Sequence, residues 1–177
     1  MLDCIVLGDS LAVGVGQARP ECEVIALTGI TSERYVQIFA GARQARTAVI
    51  SLGVNDGDGI ATVNNLSLLR GRVAAETVYW LLTGNNQRIR EAVRSVAGRF
   101  GDRLIDVSPL TGADHIHPDR VGYARLASET RGGTGVTSTQ GPAYQDFAPA
   151  AWVYRAFPNL KVWNGPDNLN GEQQVRQ

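Results

Sequence analysis

Three short segments carry side chains that could take part in nucleophilic catalysis. The first is Gly8-Asp9-Ser10, at the end of an apolar run. The Ser10 hydroxyl can attack a carbonyl carbon if a neighbouring base removes its proton. A serine at such a corner is also a common helix N-cap. This segment alone therefore leaves both interpretations open.

The second segment is Gly53-Val54-Asn55-Asp56-Gly57, which follows a β-branched run. The Asn55 side chain could donate its amide to an oxyanion, and Gly53 would let the backbone approach closely. The same residues are equally typical of an Asn-Asp-Gly turn. By itself, this segment does not decide between a turn and part of an oxyanion hole.

The third segment contains His115 and His117, the two histidines of the chain. Asp114 precedes His117 by three residues, a spacing that lets a carboxylate contact the imidazole from its own loop. Such a carboxylate fixes the ring tautomer and stabilises the imidazolium. A polar loop with surface histidines is the alternative. Because the chain has no other histidine, a serine hydrolase built from it would take its base from this segment.

The sequence around these segments alternates between strand-like and helix-like patterns. We predict strands over 3–8, 22–27, 47–52, 76–83 and 103–107, and helices over 31–43, 60–74, 87–99 and 119–129. A further helix starts at Ser10. Strands separated by helix-length segments imply parallel crossovers, and hence an α/β fold in which five parallel strands form the middle of a three-layer sandwich. Ligands of such sheets bind beyond the carboxyl ends of the strands, where all three segments lie.

The pattern of these three segments resembles that of the SGNH (GDSL-type) hydrolase family. In that family a serine, an asparagine and an Asp-x-x-His follow one another in this order at strand ends. The matching stretches are GDSLAVG, GVNDG and DHIHPDRVGYARLA, all within residues 1–130. The resemblance implies a flavodoxin-like sheet with the strand order 2-1-3-4-5. It also implies an esterase that needs no metal ion and no organic cofactor.

The resemblance implies a role for each matching residue. Ser10 would be the nucleophile, His117 the general base, and Asp114 the residue that orients His117. The oxyanion hole would consist of the Ser10 amide, the Gly29 amide and the Asn55 side chain. Gly29 carries the least specific match, because it is a single glycine after the second predicted strand.

The implied reaction is hydrolysis of a small acyl ester, such as an acetyl group on a carbohydrate, through an acyl-serine intermediate. The loops are short and include no long apolar lid, which favours a small acyl group over the substrate of a long-chain lipase. His115 lies outside the Asp-x-x-His pattern and is expected only to line the site. A lipase or thioesterase of the same family is one alternative. Another is a non-catalytic module that binds a glycan or assembles with other proteins.

The composition indicates a single globular domain and argues against several partners. Hydrophobic residues make up 44% of the 177 residues, and 17 basic residues balance 17 acidic ones. Without an excess of one charge, nucleic acid and an anionic membrane are not expected as partners. We find no run of about 18 apolar residues that could span a membrane and no signal-peptide pattern. A cytoplasmic protein is therefore expected, with a virion-associated protein or export by another route as alternatives.

The two cysteines, Cys4 and Cys22, fall near the starts of the first two predicted strands. A disulfide could form if these strands are neighbours, but two buried, reduced thiols are the favoured interpretation. The chain contains neither a CxxC pair nor a Cys/His cluster, which argues against a structural zinc site.

Residues 131–177 differ in character from the domain predicted over 1–130. They begin with a Gly/Thr-rich, linker-like run, and residues 144–163 contain six of the twelve aromatic side chains. Aromatic side chains can stack on sugar rings or become buried in a protein interface. We expect this extension to mediate a homo-oligomeric or other protein contact, unless it packs as an extra layer on the domain itself.

Overall fold

The computed structural model describes residues 1–83 and 86–131 and the backbone of 161–162. The elements are β1 Leu2–Gly8, α1 Ser10–Ala18, β2 Glu23–Thr28, α2 Ser32–Ile38, β3 Arg43–Ser51, α3 Thr62–Gly71, β4 Val73–Leu82, α4 Gln87–Phe100, β5 Arg103–Asp106, α5 Arg120–Glu129 and β6 Lys161–Val162. A short 3-10 helix covers Ser108–Leu110. Apart from β6, the predicted extension after residue 131 lies outside the described residues, so its role stays a prediction.

The strands form one sheet in the order β5-β4-β3-β1-β2-β6. Strands β1 to β5 are parallel, which confirms the predicted α/β fold class and the order 2-1-3-4-5. In the centre of the sheet, Leu7 of β1 pairs with Ile25 of β2 and Ile50 of β3. The two-residue strand β6 was not predicted from the sequence. It pairs antiparallel with the end of β2 and occupies that edge of the sheet.

Two apolar clusters fix the helices on opposite faces of the sheet. Residues of α2, α3 and α4 share one cluster with alternate residues of the strands, including the fully buried Trp80. Residues of α1 and α5 share the other cluster, including Leu11 and Leu126. Because helices cover both faces, β1 is buried without alternation from Cys4 onward. In the described ranges, no helix is long and apolar enough to cross a membrane.

The helix predicted over 31–43 is shorter in the structure, and the following strand is longer. Helix α2 ends at Ile38, and β3 begins at Arg43. The first residues of β3 are mostly polar, and Ala45 is the first that is buried. A strand end with one polar face carries too few apolar residues for periodicity to reveal it, which explains the error.

Cys4 and Cys22 form a disulfide, so the favoured interpretation as reduced thiols was wrong. Strands β1 and β2 are neighbours, and Ile5 pairs with Glu23. Cys4 precedes Ile5 on β1 and Cys22 immediately precedes β2 at Glu23, and the Cα atoms of the two cysteines are 4.8 Å apart. That distance lies within the range that a disulfide spans. The pairing follows from the strand register, which composition and local pattern do not specify.

Candidate active site

The predicted site residues converge at the carboxyl end of the parallel sheet. Strand β1 lies between β2 and β3, so the loops that follow these three strands are adjacent. Ser10 follows β1, Gly29 follows β2, and Asn55 follows β3. Asp114 and His117 precede α5, which packs against α1 on the same face of the sheet. Four segments that are distant in sequence therefore meet at one edge.

Gly8 makes the sharp corner between β1 and α1. Its φ angle is +133°, a conformation that side chains disfavour, and a Cβ atom there would lie 1.6 Å from the carbonyl oxygen of Ser51. The next amide, that of Asp9, donates a hydrogen bond of 2.9 Å to the same oxygen. The backbone thus turns in direct contact with β3, and this contact requires glycine.

Ser10 is the first residue of α1 and is not its N-cap. The cap is Asp9, whose side chain accepts a hydrogen bond of 3.1 Å from the Leu11 amide. At this first position the Ser10 amide has no partner within the helix. The Ser10 hydroxyl instead contacts Nε2 of His117 at 2.8 Å. The structure therefore excludes the simple capping role that the sequence had left open.

Asp114 holds His117 through both carboxylate oxygens. Oδ2 lies 2.7 Å from Nδ1 of His117. Oδ1 accepts the backbone amides of Ile116 and His117, each at 2.9 Å. The hydrogen bond from the Ile116 amide, followed by those from the His117 ring and amide, holds the pKa of Asp114 well below its usual range. Asp114 is therefore an anion at neutral pH. An anion beside Nδ1 favours the tautomer with its proton on Nδ1, which leaves Nε2 free to accept the proton of Ser10.

Glycines lie at the close contacts that α5 makes with its neighbours. A Cβ atom at Gly14 of α1 would lie 2.2 Å from the ring of Tyr123 on α5. On the other side of α5, a Cβ atom at Gly122 would lie 2.8 Å from the carbonyl oxygen of Leu110, so glycine there lets α5 approach the 3-10 helix rather than α1. Ser10 begins α1 and His117 lies just before α5, so the close approach of the two helices at Gly14 is consistent with the contact between the two side chains.

The loop that carries His117 has a constrained backbone. The Gly112 amide donates to the His117 carbonyl oxygen at 2.7 Å, and Thr111 and Pro118 form an isolated β-bridge. At the tip of this loop, His115 is exposed and has a φ angle of +56°, in the left-handed region. Its role in lining the site stays a prediction.

The two remaining predicted oxyanion donors lie on adjacent loops that are bonded to each other. Nδ2 of Asn55 donates to the carbonyl oxygen of Ile30 at 3.0 Å, one residue beyond Gly29. Gly29 is exposed and has a φ angle of +76°. An amide group has two N–H bonds, so Asn55 keeps a second donor when one is used for Ile30. The roles of Gly29 and Asn55 in binding an oxyanion stay predictions.

Asp9 is a second acidic residue near the site and directly precedes Ser10, and its burial was not predicted from the sequence. The residue is fully buried. Its Oδ1 accepts from the Leu11 amide and, at 2.9 Å, from the Ser51 hydroxyl. Within the described ranges, its Oδ2 is the one buried side-chain oxygen or nitrogen without a hydrogen-bond partner. Burial raises the pKa of Asp9 to about 7, against the opposing effects of Ser51 and Leu11.

Solved structures of esterases share this architecture. A lipolytic protein of the G-D-S-L family from Veillonella parvula has a TM-score of 0.51 and 16% identity, over 73% of this chain and 96% of its own. Est24, a carbohydrate acetylesterase from Sinorhizobium meliloti, has a TM-score of 0.51 and 12% identity, over 74% of this chain and 97% of its own. The inhibitor-bound aryl esterase of M. smegmatis has a TM-score of 0.51 and 13% identity, over 74% of this chain and 99% of its own.

Sequence comparison adds nothing to this structural likeness. No family model matches the sequence, and neither does any curated protein. The identities to the solved structures are low, but their chains are covered almost completely. The chain therefore has the fold of the GDSL-type esterases.

Proposed function

We propose that this protein is a serine esterase of the SGNH (GDSL-type) family that hydrolyses a small acyl ester. One observation carries the proposal: a continuous chain of hydrogen bonds runs from Ser10 through His117 to Asp114, with distances of 2.8 Å and 2.7 Å. The chain lies at the carboxyl end of a parallel sheet, where ligands of such folds bind. The esterase fold and the nucleophile–base–carboxylate order together favour acyl transfer over other serine chemistry.

In the first step, the Ser10 Oγ attacks the carbonyl carbon of the ester while Nε2 of His117 accepts the hydroxyl proton. The carbonyl π bond opens and its electron pair moves to oxygen, which gives a tetrahedral oxyanion. Asp114 stabilises the imidazolium through its bond to Nδ1. When the intermediate collapses, the C–O bond to the alcohol breaks and Nε2 returns the proton to the departing oxygen. The product is an acyl-Ser10 ester.

The oxyanion requires donors that are already in position before the reaction. We assign this role to the amides of Ser10 and Gly29 and to Nδ2 of Asn55, the donors on the three adjacent loops. Removal of one such donor reduces kcat by about 10²–10³-fold in other hydrolases. A donor at the start of a helix has the further advantage of the positive end of the helix dipole.

In the second step, water replaces the alcohol. Nε2 of His117 accepts a proton from the water as its oxygen attacks the acyl carbon. The new tetrahedral intermediate then collapses, the bond to Ser10 Oγ breaks, and the proton returns to Ser10. The carboxylic acid leaves and the enzyme is restored.

An acetyl ester on a carbohydrate is the substrate that we favour. The described loops at the site contain no long apolar segment that could cover a fatty acyl chain, and one protein of the same fold, Est24, is a carbohydrate acetylesterase. We expect p-nitrophenyl acetate to be hydrolysed faster than the dodecanoate ester. Faster turnover of the dodecanoate would favour a lipase instead. A comparison of kcat/KM for the two esters decides between them.

Replacement of the nucleophile tests the reaction itself. We expect Ser10→Ala to abolish turnover of p-nitrophenyl acetate and covalent labelling by a fluorophosphonate probe. Ser128→Ala, at an exposed position on α5, is the matched control and should keep both. Turnover by Ser10→Ala at the wild-type rate would contradict the assignment. If the folded wild-type protein neither turns over the ester nor reacts with the probe, a non-catalytic binding or assembly module is the better interpretation.

A further inference from the structure

Asp56, next to the predicted oxyanion donor Asn55, lies at the centre of a buried hydrogen-bond cluster that the proposed reaction does not use. Its Oδ1 accepts the Ser32 amide at 2.7 Å. Its Oδ2 accepts the hydroxyls of Ser32 at 2.5 Å and Thr62 at 2.7 Å. Asp56 is 5% exposed, Ser32 is fully buried, and Thr62 is 4% exposed. Both oxygens of this carboxyl group are therefore bonded inside the protein.

These bonds join the two loops that carry predicted oxyanion donors. Ser32 is the first residue of α2, three residues after Gly29. Asp56 follows Asn55 directly. The Asp56–Ser32 contacts and the bond from Asn55 to the Ile30 carbonyl are parallel links between the same loops. The first link is buried, whereas Asn55 is exposed.

Neighbouring side chains hold the cluster in one arrangement. Nδ2 of Asn65 donates to the Ser32 hydroxyl at 3.0 Å, so that the Ser32 proton is directed to Asp56. From α4, the Arg88 guanidinium donates to the carbonyl oxygens of Asp56 and Gly57, at 2.9 Å and 3.1 Å. The loop after β3 is thus fixed from both α2 and α4.

We propose that Asp56 is a positioning residue that sets the distance between the Gly29 amide and the Asn55 side chain. This inference rests on the proposed esterase function. An oxyanion hole acts only when its donors are at the correct separation before charge develops. A loop displacement of about 1 Å can cost about 100-fold in rate. The carboxyl group acts through the loops and makes no contact with the substrate.

A purely structural role is the alternative, and kinetics distinguish the two. If Asp56 only stabilises the fold, its replacement lowers the melting temperature but leaves kcat per folded molecule unchanged. If it positions the donors, kcat falls because the interaction with the transition state is weakened, while KM changes little. The rate of labelling by a fluorophosphonate falls in parallel, since the phosphonyl oxygen occupies the same hole.

The decisive experiment compares Asp56→Asn with Asp102→Asn. Asp102 also has a buried side chain, bonded to Arg70 and Trp80, but it precedes β5 at the opposite end of the sheet. We expect Asp56→Asn to lower kcat on p-nitrophenyl acetate by about 10- to 100-fold. Amide hydrogen exchange at Gly29 and Ser32 should also become faster. Asp102→Asn should lower the melting temperature and keep kcat.

Ser32→Ala provides a second test that keeps the backbone bond to Asp56. We expect a smaller loss of kcat, and no further loss when it is combined with Asp56→Asn, because both changes break one link. If Asp56→Asn does not fold, the result for Ser32→Ala decides: a lower kcat supports the inference and an unchanged kcat overturns it.

The remaining outcomes separate this inference from the proposed function. An active wild-type protein with equal kcat in Asp56→Asn overturns the positioning role alone. So does an equal loss of kcat in the Asp56 and Asp102 variants. A wild-type protein that shows no turnover and no labelling overturns the esterase function and this inference with it.

Discussion

Asp9 and Asp114 flank the same Ser10–His117 pair, but their surroundings are opposite. Asp114 has a side chain that is 51% exposed, and its hydrogen bonds hold its pKa well below the usual range. Asp9 is fully buried, and burial raises its pKa to about 7 although hydrogen bonds, the strongest from Ser51, oppose this effect. Two aspartates near Ser10 thus differ in charge preference: the surroundings favour the anion of Asp114 and disfavour the anion of Asp9.

Hydrogen bonds and burial have opposite effects on the pKa values of these two carboxyl groups. The bonds to Asp114 favour its charged form, which can orient an imidazole and stabilise its positive charge. Asp9 caps α1 and accepts a hydrogen bond from Ser51 of β3, so its main effect is on the stability of the corner between β1 and α1. We therefore expect changes at Asp114 to affect catalysis and changes at Asp9 to affect stability.

Among changes that compare the surroundings of these two aspartates, Asp114→Asn is expected to have the largest effect. The amide keeps the size of the side chain but removes the charge and favours the wrong ring tautomer. We expect kcat to fall by about 10²–10⁴-fold, with little change in the melting temperature. Asp119→Asn is the control, because Asp119 caps α5 in the same region and asparagine caps as well. Equal activity of the two variants would contradict the role assigned to Asp114.

The second largest effect is expected from Asp9→Asn, and it concerns the pH dependence of the free energy of unfolding. Between the unfolded pKa near 3.8 and the folded pKa of about 7, the folded state keeps a proton that the unfolded state releases. The free energy of unfolding of the wild type therefore falls through this range as pH rises, by roughly 4 kcal/mol at most from this residue. In Asp9→Asn this contribution disappears, so the variant gains stability relative to the wild type as pH rises.

Urea unfolding of both proteins at about pH 4 and about pH 8 measures this difference. The informative quantity is the difference in the free energy of unfolding between wild type and Asp9→Asn, and how it changes from about pH 4 to about pH 8. Other groups titrate equally in both proteins and cancel in this difference. A difference that does not vary with pH would contradict the burial of an ionisable Asp9.

The smallest effect is expected from Ser51→Ala, which removes one of the two bonds to Asp9 Oδ1 but leaves the Ser51 carbonyl in place. The loss of a buried hydrogen bond should cost about 1 kcal/mol. Because the Ser51 hydroxyl lowers the pKa of Asp9, its removal should move the pH-dependent loss of stability to higher pH. The same unfolding series detects this shift. A shift to lower pH would be inconsistent with the bond.

Much of the fold was predictable because the strands end in recognisable ways. The runs before Gly8 and Gly53 are apolar and stop at residues that suit a turn, so strand ends and fold class followed from local pattern. The start of β3 was missed since its first residues are mostly polar. The Cys4–Cys22 disulfide was missed because it depends on which strands are neighbours and in what register.

The candidate site was predictable only in part, because some of its residues depend on contacts with segments that are distant in sequence. Ser10, Asp114 and His117 have residue types and spacing that identify a possible reaction, and the structure brings them into contact. Asp9 and Asp56 belong to the same short segments, yet nothing local distinguishes a buried aspartate from an ordinary turn residue. Their importance arises from contacts with Ser51 and Ser32, which lie 42 and 24 residues away in the chain.

The corner at Gly8 has a consequence for variation in this protein. Gly8 and Gly29 both have positive φ angles, but a Cβ atom at Gly29 would meet nothing within 4 Å, whereas one at Gly8 would overlap the Ser51 carbonyl. Asparagine, which tolerates the left-handed region, is therefore a permissible replacement at Gly29. No side chain is permissible at Gly8. In a library of random variants selected for folding, we therefore expect position 8 to remain glycine while position 29 accepts asparagine.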